Sequence, residues 1–269
     1  MDNHFKDYFH PFSEETPSGN FHKVIALHEA PDLNWKTLSK QVPDLPRAWC
    51  ELAQLTVSDR IEFTRDYWES TMTYHPGLTR FLDNFFSNLD DIGVFITQKK
   101  YDDSFKIQLV YSISDNRGFY RGEPAAKEAQ ILDMEEKFPE FILPPDYIAF
   151  FKIHNGFYKT TDETGLTKAE ELYDSFQAFQ AMFENEEVIY TKSGDPVNRK
   201  KLIPFYIMFG MPFYQCFWEE WYPSNEMGNV YFDSLTRQIS DPKESGGEGE
   251  SLSFPTFTDW LMFYLEILG

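Results

Sequence analysis

Residues 143–156 constrain the fold most tightly, because both ends and one face of an element can be read from them. Pro144-Pro145 suits a first helical turn, where the missing N–H would have no helical partner. Tyr147, Phe150, Phe151 and His154 then recur along one side, the spacing of a helix with one buried face. Asn155-Gly156 ends it, since glycine accepts the left-handed conformation that follows a helix. A stripe of large aromatic rings needs a core to receive it.

The chain can supply one. Its 269 residues fit one large domain or two ordinary ones. With 42% hydrophobic and 18% aromatic residues, wholesale disorder is excluded. The charge is lopsided: 24 Lys and Arg face 44 Asp and Glu, a formal net charge of −20. Such a field repels a phosphate backbone and favours a basic partner, so no nucleic-acid partner is expected. Solubility alone is the plainer reason for it. Most of the excess lies late in the chain, with net −5 over residues 1–122 and −15 over residues 123–269.

Cys50 and Cys216 lie far apart in apolar stretches and read as two buried free thiols of a reducing compartment. The start, Met1-Asp2-Asn3-His4-Phe5-Lys6-Asp7, lacks a basic region followed by an apolar one, so a cytoplasmic location is expected. Residues 202–218 carry no charge, yet they are short for a span and contain Pro204, Gly210, Pro212 and Gln215. Two buried strands with a bend fit better, and no membrane partner is expected.

Residues 1–44 read as an irregular arm broken by Pro11, Pro17, Pro31 and Pro43, with aromatics that should pack on something. Residues 45–122 read as a helical region plus a β-hairpin. Asp44 is placed to cap a first helix with Trp49, Leu52, Ala53 and Thr56 on one face. Asp59 is placed to cap a second with Ile61, Thr64, Tyr67 and Trp68 inward, and Leu78, Phe81, Leu82, Phe85 and Leu89 mark a third. Residues 92–97 and the alternating run from Phe105 to Ile113 make the hairpin, the second strand half-buried. A boundary is expected near Gly122. Beyond it, helices follow Ile131, Met134 and Phe138, then the 143–156 stripe. Thr167-Lys168-Ala169-Glu170 reads as a capping box before a helix burying Leu172, Phe176, Phe179 and Phe183. Strands are expected at 188–191, 203–209, 213–218 and 230–233, an acidic loop at 245–250, and a last helix from near Pro255 through Phe257, Trp260, Leu261, Tyr264, Leu265 and Leu268.

Searches for chemistry return little. There is no phosphate-binding glycine loop and no nucleophile elbow, and no two of the six histidines have the spacing of a helical zinc site. No catalytic residue, cofactor or metal is therefore expected. Glu184, Glu186 and Glu187 sit at the end of a helix, where acids oppose the macrodipole; they form either a partner-facing edge or a solvated rim. Asp162 and Glu163 are similar candidates. Trp218 and Trp221 flank Glu219-Glu220 and make either an exposed patch for a cationic surface or a strand with Trp inward and Glu outward.

The pattern Leu143-Pro144-x-x-Tyr147-x-x-Phe150-Phe151-x-x-x-Asn155-Gly156 resembles the signature of the SUKH superfamily, the Smi/Knr-type proteins. The order downstream is similar too: Leu202-Ile203-Pro204-Phe205 opens paired strands, Gly228-Asn229-Val230 opens another, and a closing helix follows Ser253-Phe254. Phe157 departs from the family's second glycine. The resemblance covers residues 123–269 and implies an α+β fold, an antiparallel sheet flanked by helices, without catalytic residues. It also implies a binding protein, as in immunity proteins that neutralise toxins or in intracellular regulators, with the motif residues specifying the fold.

Three functions follow as expectations. The first is a non-enzymatic intracellular module whose acidic second half binds a basic protein, possibly a toxin domain. The second is a regulatory scaffold whose residues 1–122 hold an endogenous partner. The third is an enzyme with a site between the halves near His75 or His154.

Overall fold

The computed structural model describes residues 3–11, 19–30, 32–33, 35–160, 165–183, 188–208, 213–243 and 252–266. It divides into two compact units. One is built on residues up to Thr71 with Pro76–Ala125, the other on Met72–His75 and Ala126–Glu266. Among the described residues no helix is long and apolar enough to cross a membrane.

The first unit contains α1 (Asn3–Tyr8), β1 (Lys23–Ala26), α2 (Trp35–Gln41), α3 (Arg47–Leu52), α4 (Val57–Thr71), α5 (Leu78–Ser87), β2 (Leu89–Gln98), β3 (Lys106–Ile113) and β4 (Phe119–Gly122). Residues 1–44 are thus not an irregular arm. The described residues within them form α1, β1 and α2, and β1 pairs antiparallel with β2, Lys23 opposite Gln98. That pairing is set by a distant neighbour, which no local pattern encodes. The strands run β1-β2-β3-β4, each antiparallel to the next.

The arm's aromatics explain a second difference. Phe5 of α1 and Phe9 just after it pack on Phe95 of β2 at ring distances of 4.6 and 4.5 Å, over Val110 and Phe119. They cover the face of β3 that its alternation assigns to solvent, so β3 is buried on both faces after Lys106. On the other face the Trp68 indole N–H donates to the Tyr111 hydroxyl at 3.0 Å, with Phe85 and Phe86 around the pair.

The caps differ as well. α3 starts at Arg47 with Pro46 in the capping position and no side-chain cap bond. At α4, Thr56 Oγ1 accepts from the Asp59 N–H at 3.3 Å and donates to Asp59 Oδ2 at 2.7 Å, so the cap is Thr56. The buried stripe of α4 is Arg60, Thr64 and Trp68, while Tyr67 is 51% exposed. Arg60 is there because β2 supplies its counter-charge. Its Nη2 and Nε donate to Asp91 Oδ1 at 2.6 and 3.2 Å, and its Nη1 donates to the Leu55 carbonyl at 2.7 Å. Nearby, burial holds the His28 imidazole below its ordinary value.

The second unit contains α6 (Glu128–Lys137), α7 (Pro145–Phe151), β5 (Phe157–Lys159), β6 (Gly165–Leu166), α8 (Leu172–Ala181), β7 (Ile189–Thr191), β8 (Pro196–Val197), β9 (Leu202–Ile207), β10 (Phe213–Trp218), β11 (Asn229–Asp233), β12 (Gln238–Ile239), β13 (Ser253–Phe254) and α9 (Phe257–Leu265). This is an α+β fold. From β6 the strands run β6-β9-β10-β11-β12-β7-β8, with β5 on β6 and β13 on β11. Among the described residues these pairings are antiparallel except β12 with β7, which is parallel. Side chains along β10 alternate. Phe217 meets Tyr147 of α7 and Phe257 of α9, whereas Cys216 joins Phe179 and Phe183 from α8 and the residues after it. Helices therefore cover both faces of the sheet. Within residues 202–218, Leu202–Ile207 and Phe213–Trp218 are strands, and both cysteines are free and buried.

The motif residues are buried: Leu143, Pro144, Tyr147, Phe150, Phe151, Asn155 and Gly156. Gly156 takes φ +99, and a Cβ there would lie 2.5 Å from the Tyr158 hydroxyl oxygen. Asn155 corrects the expected capping box. Its Oδ1 accepts from the Ala169 N–H at 2.9 Å and its Nδ2 donates to Glu170 at 2.8 Å, while Lys168 is the capping residue of a 3-10 turn (Ala169–Glu171) that precedes α8. Thr167 does not cap. His154 is 1% exposed and stacks on Phe157 at 5.3 Å, a core position. Residues 209–212, the acidic stretch 245–250 and Leu268 lie outside the described residues.

Two stability predictions follow. Replacing Arg60 by Met leaves a buried unpaired carboxylate and should cost about 3–5 kcal/mol, and adding Asp91→Leu should recover most of that. Urea unfolding of the full cycle measures it. The Tyr147 hydroxyl is buried without a hydrogen-bond partner in the structure. Tyr147→Phe should therefore be neutral or up to about 1 kcal/mol stabilising; a loss of that size in the same assay would mean that the hydroxyl is bonded.

Candidate functional site

The β10–β11 connection, residues 219–228, gathers the polar groups of interest. Trp218 closes β10, and its N–H donates to the Gly228 carbonyl at 2.9 Å. The Trp221 N–H donates to the Trp218 carbonyl at 3.0 Å, and the Gly228 N–H to the Trp221 carbonyl at 2.9 Å. These bonds turn the chain back within four residues. Trp221 then lies so close to Gly228 that a Cβ there would stand 2.5 Å from its ring.

Trp218 and Trp221 are half-buried and pack against the cluster of Leu202, Cys216 and Val230. Neither simple expectation for them holds. The strand ends at Trp218, so there is no alternation through Trp221, and the two rings are not fully exposed either. The acids between them do face out. Glu219 is half-buried and pairs with Lys201 Nζ at 3.2 Å. Glu220 is exposed and accepts from the Trp218 indole at 3.3 Å. Tyr222, 45% exposed, extends the surface. Asp162, Glu163, Glu184, Glu186 and Glu187 lie outside the described residues.

The same loop ends at a group of carboxylates that sequence reasoning missed. Asp146, in the first turn of α7, accepts from the Thr258 N–H at 2.7 Å, the Thr258 hydroxyl at 2.8 Å and the Tyr147 N–H at 2.9 Å. This ties α7 to the first turn of α9. There Thr256 caps the helix, its Oγ1 accepting from the Asp259 N–H at 3.0 Å, and Asp259 lies 3.1 Å from His75 Nε2. Burial, with the charges of Asp146 and Asp259 behind it, pushes the Glu226 carboxyl up to about 7. Burial also raises Asp146, against hydrogen bonds that pull it down. Asp146 and Asp259 each read alone as an ordinary helix-start residue, where negative charge is favoured, and Glu226 as a loop residue. Their convergence is tertiary.

A carboxyl poised near neutrality suits acid–base work. The sulfur chemistry that would accompany a nucleophile is absent from Cys216, whose thiol burial holds well above its ordinary value and so protonated. Among the described residues no group of three or more His, Cys, Asp or Glu side chains is placed to hold a metal ion.

A mostly antiparallel sheet with helices on both faces, and its polar groups carried on the connections, defines the second unit as an α+β domain of the kind expected for the 143–156 motif. The family model of the SMI1/KNR4 family (SUKH-1) matches residues 125–262, and the chain belongs to that family. No curated protein matches the chain.

Glu226 generates a pH prediction. Between pH 4.5 and about 7 the folded state keeps a proton that the unfolded chain has released. The stability this group confers is present at the acid end and is lost as pH rises through about 7. His28 acts in the opposite sense, since its lowered value makes stability fall as pH drops below 6.5. The difference between wild type and Glu226→Gln isolates the first effect. Urea midpoints at pH 5 and pH 8 should show the variant losing less stability across that interval.

Proposed function

We propose that this chain is a non-enzymatic, cytoplasmic protein-binding module whose acidic second half, residues 123–269, holds a basic protein, as an immunity protein holds a toxin domain. Family membership supports the class of function. The observation that carries the partner's chemistry is the net charge of −20, most of it in residues 123–269. Opposite charge speeds encounter, and partly buried aromatic anchors set the lifetime of the complex. On this reading Trp218 and Trp221 are the anchors, Glu219 and Glu220 steer, and Asp162, Glu163, Glu184, Glu186 and Glu187 add to the field.

The test begins with the tagged chain in extract of its own cells at low and moderate salt, followed by the recovered protein in purified form. A basic partner should bind stoichiometrically and weaken steeply as salt screens the charges. Glu219→Gln with Glu220→Gln should slow association by about threefold or more at low salt and leave high-salt association unchanged. Gly228→Ala, which must displace the Trp221 ring, should speed dissociation. A partner with an acidic surface, or binding indifferent to salt, would overturn the reading.

A further inference from the structure

The outer face of α4, in the part of the chain outside the family match, has features that the function proposed above does not use. Phe63 is 60% exposed and Tyr67 is 51% exposed. Four residues apart on one helix, the two rings are neighbours on its surface. Large exposed aromatics side by side are unlike singly scattered apolar residues, which need no explanation. The buried side of the helix is a different one, made of Arg60, Thr64 and Trp68.

A ridge of acid runs beside them. Asp59, Glu62, Asp66 and Glu69 recur at spacings of three and four, which places them on one side of the helix next to Phe63 and Tyr67. The ridge is only partly compensated. Arg65 pairs with Asp66 at 2.9 Å and with Asp83 at 3.5 Å. The other arginine of the helix, Arg60, is buried against Asp91.

We infer that the Phe63–Tyr67 face of α4 is a docking surface for a cationic amphipathic helix, whose apolar side covers the two rings while its Lys or Arg side chains meet the acidic ridge. Charge selects this occupant. A second copy of the chain would bring acid against acid, and an anionic lipid surface would be repelled. A helix matches the i, i+4 geometry of the two anchors, as in other groove and ridge recognition by amphipathic helices. The inference takes its class of ligand, a basic protein, from the function proposed above, but it places the contact in the first unit.

The test uses the full chain and a labelled 18-residue peptide with leucine along one helical face and lysine on the other, against a scrambled peptide of the same composition. Fluorescence anisotropy should show saturable binding of the helical peptide and at least about tenfold weaker binding of the scrambled one. Phe63→Ser with Tyr67→Ser should weaken it at least about tenfold. Asp59→Asn, Glu62→Gln and Asp66→Asn together should weaken it at low salt and flatten its salt dependence. All these side chains lie outside the buried stripe, and circular dichroism checks that the variants fold. Equal binding of both peptides, or binding untouched by the α4 variants, overturns the inference. Loss through Glu219→Gln with Glu220→Gln instead would move the contact to the second unit, overturning this inference while leaving the function proposed above intact. Self-association in sedimentation that Phe63→Ser and Tyr67→Ser abolish would make the occupant a second copy and would also overturn it.

Discussion

Phe205 and Phe217 stack face to face at 4.1 Å across the β9–β10 pairing, and the second unit is arranged around that contact. Tyr147 of α7 leans on both rings, at 5.8 and 5.0 Å, and Phe257 of α9 lies 5.1 Å from Tyr147. Trp260 meets Phe205 edge-on at 4.9 Å. Two helices far apart in sequence are thereby fixed against the same pair of strands. Their first turns then come close enough for the Asp146 carboxylate to accept both hydrogen bonds from Thr258. The polar convergence at Glu226 is thus downstream of apolar packing. Remove the stack, and nothing holds Asp146 and Asp259 where, behind burial, their charges raise the proton affinity of Glu226.

The first unit solves a related problem differently. Its sheet is covered by α4 and α5 on one side and by α1 on the other, so both faces of β3 are apolar contacts. The cost of placing Arg60 in that interior is offset by Asp91 and the Leu55 carbonyl, which together use three of its five donors. The acidic excess of the chain, by contrast, stays on surfaces and connections. Where charge does enter the interior, as at Arg60, Asp91 and Asp146, it is hydrogen-bonded.

Much of this was legible in advance. The α7 motif, the span of β10, the start of α9 and the hairpin of β2 and β3 rest on local signals: prolines at helix starts, aromatic periodicity, turn residues. What was not legible rests on partners far along the chain. β1 and β4 are four residues each and owe their existence to β2 and β3. The two-residue strands β6, β8, β12 and β13 are too short to carry any period. Thr167 looked like a cap because its spacing to Glu170 was right. Asn155 took the Ala169 N–H because the turn at Gly156 aims it there. The candidate site was half readable. Trp218 to Trp221 stood out by composition, but Glu226, Asp146, Asp259 and His75 meet only through the fold.

The pairing of β1 with β2 has a consequence for how the molecule is made. Lys23 finds its partner only at Gln98, while β2, β3 and β4 follow one another through short turns. Contacts near in sequence close faster than distant ones, because less chain entropy is lost. On a ribosome the α1–β1 segment emerges before α4, α5 and the hairpin, and must wait, its rings uncovered, until they exist to receive it. A segment made before its partners is then the last part of its unit to fold, and its residues are ones that a chaperone has a long opportunity to hold.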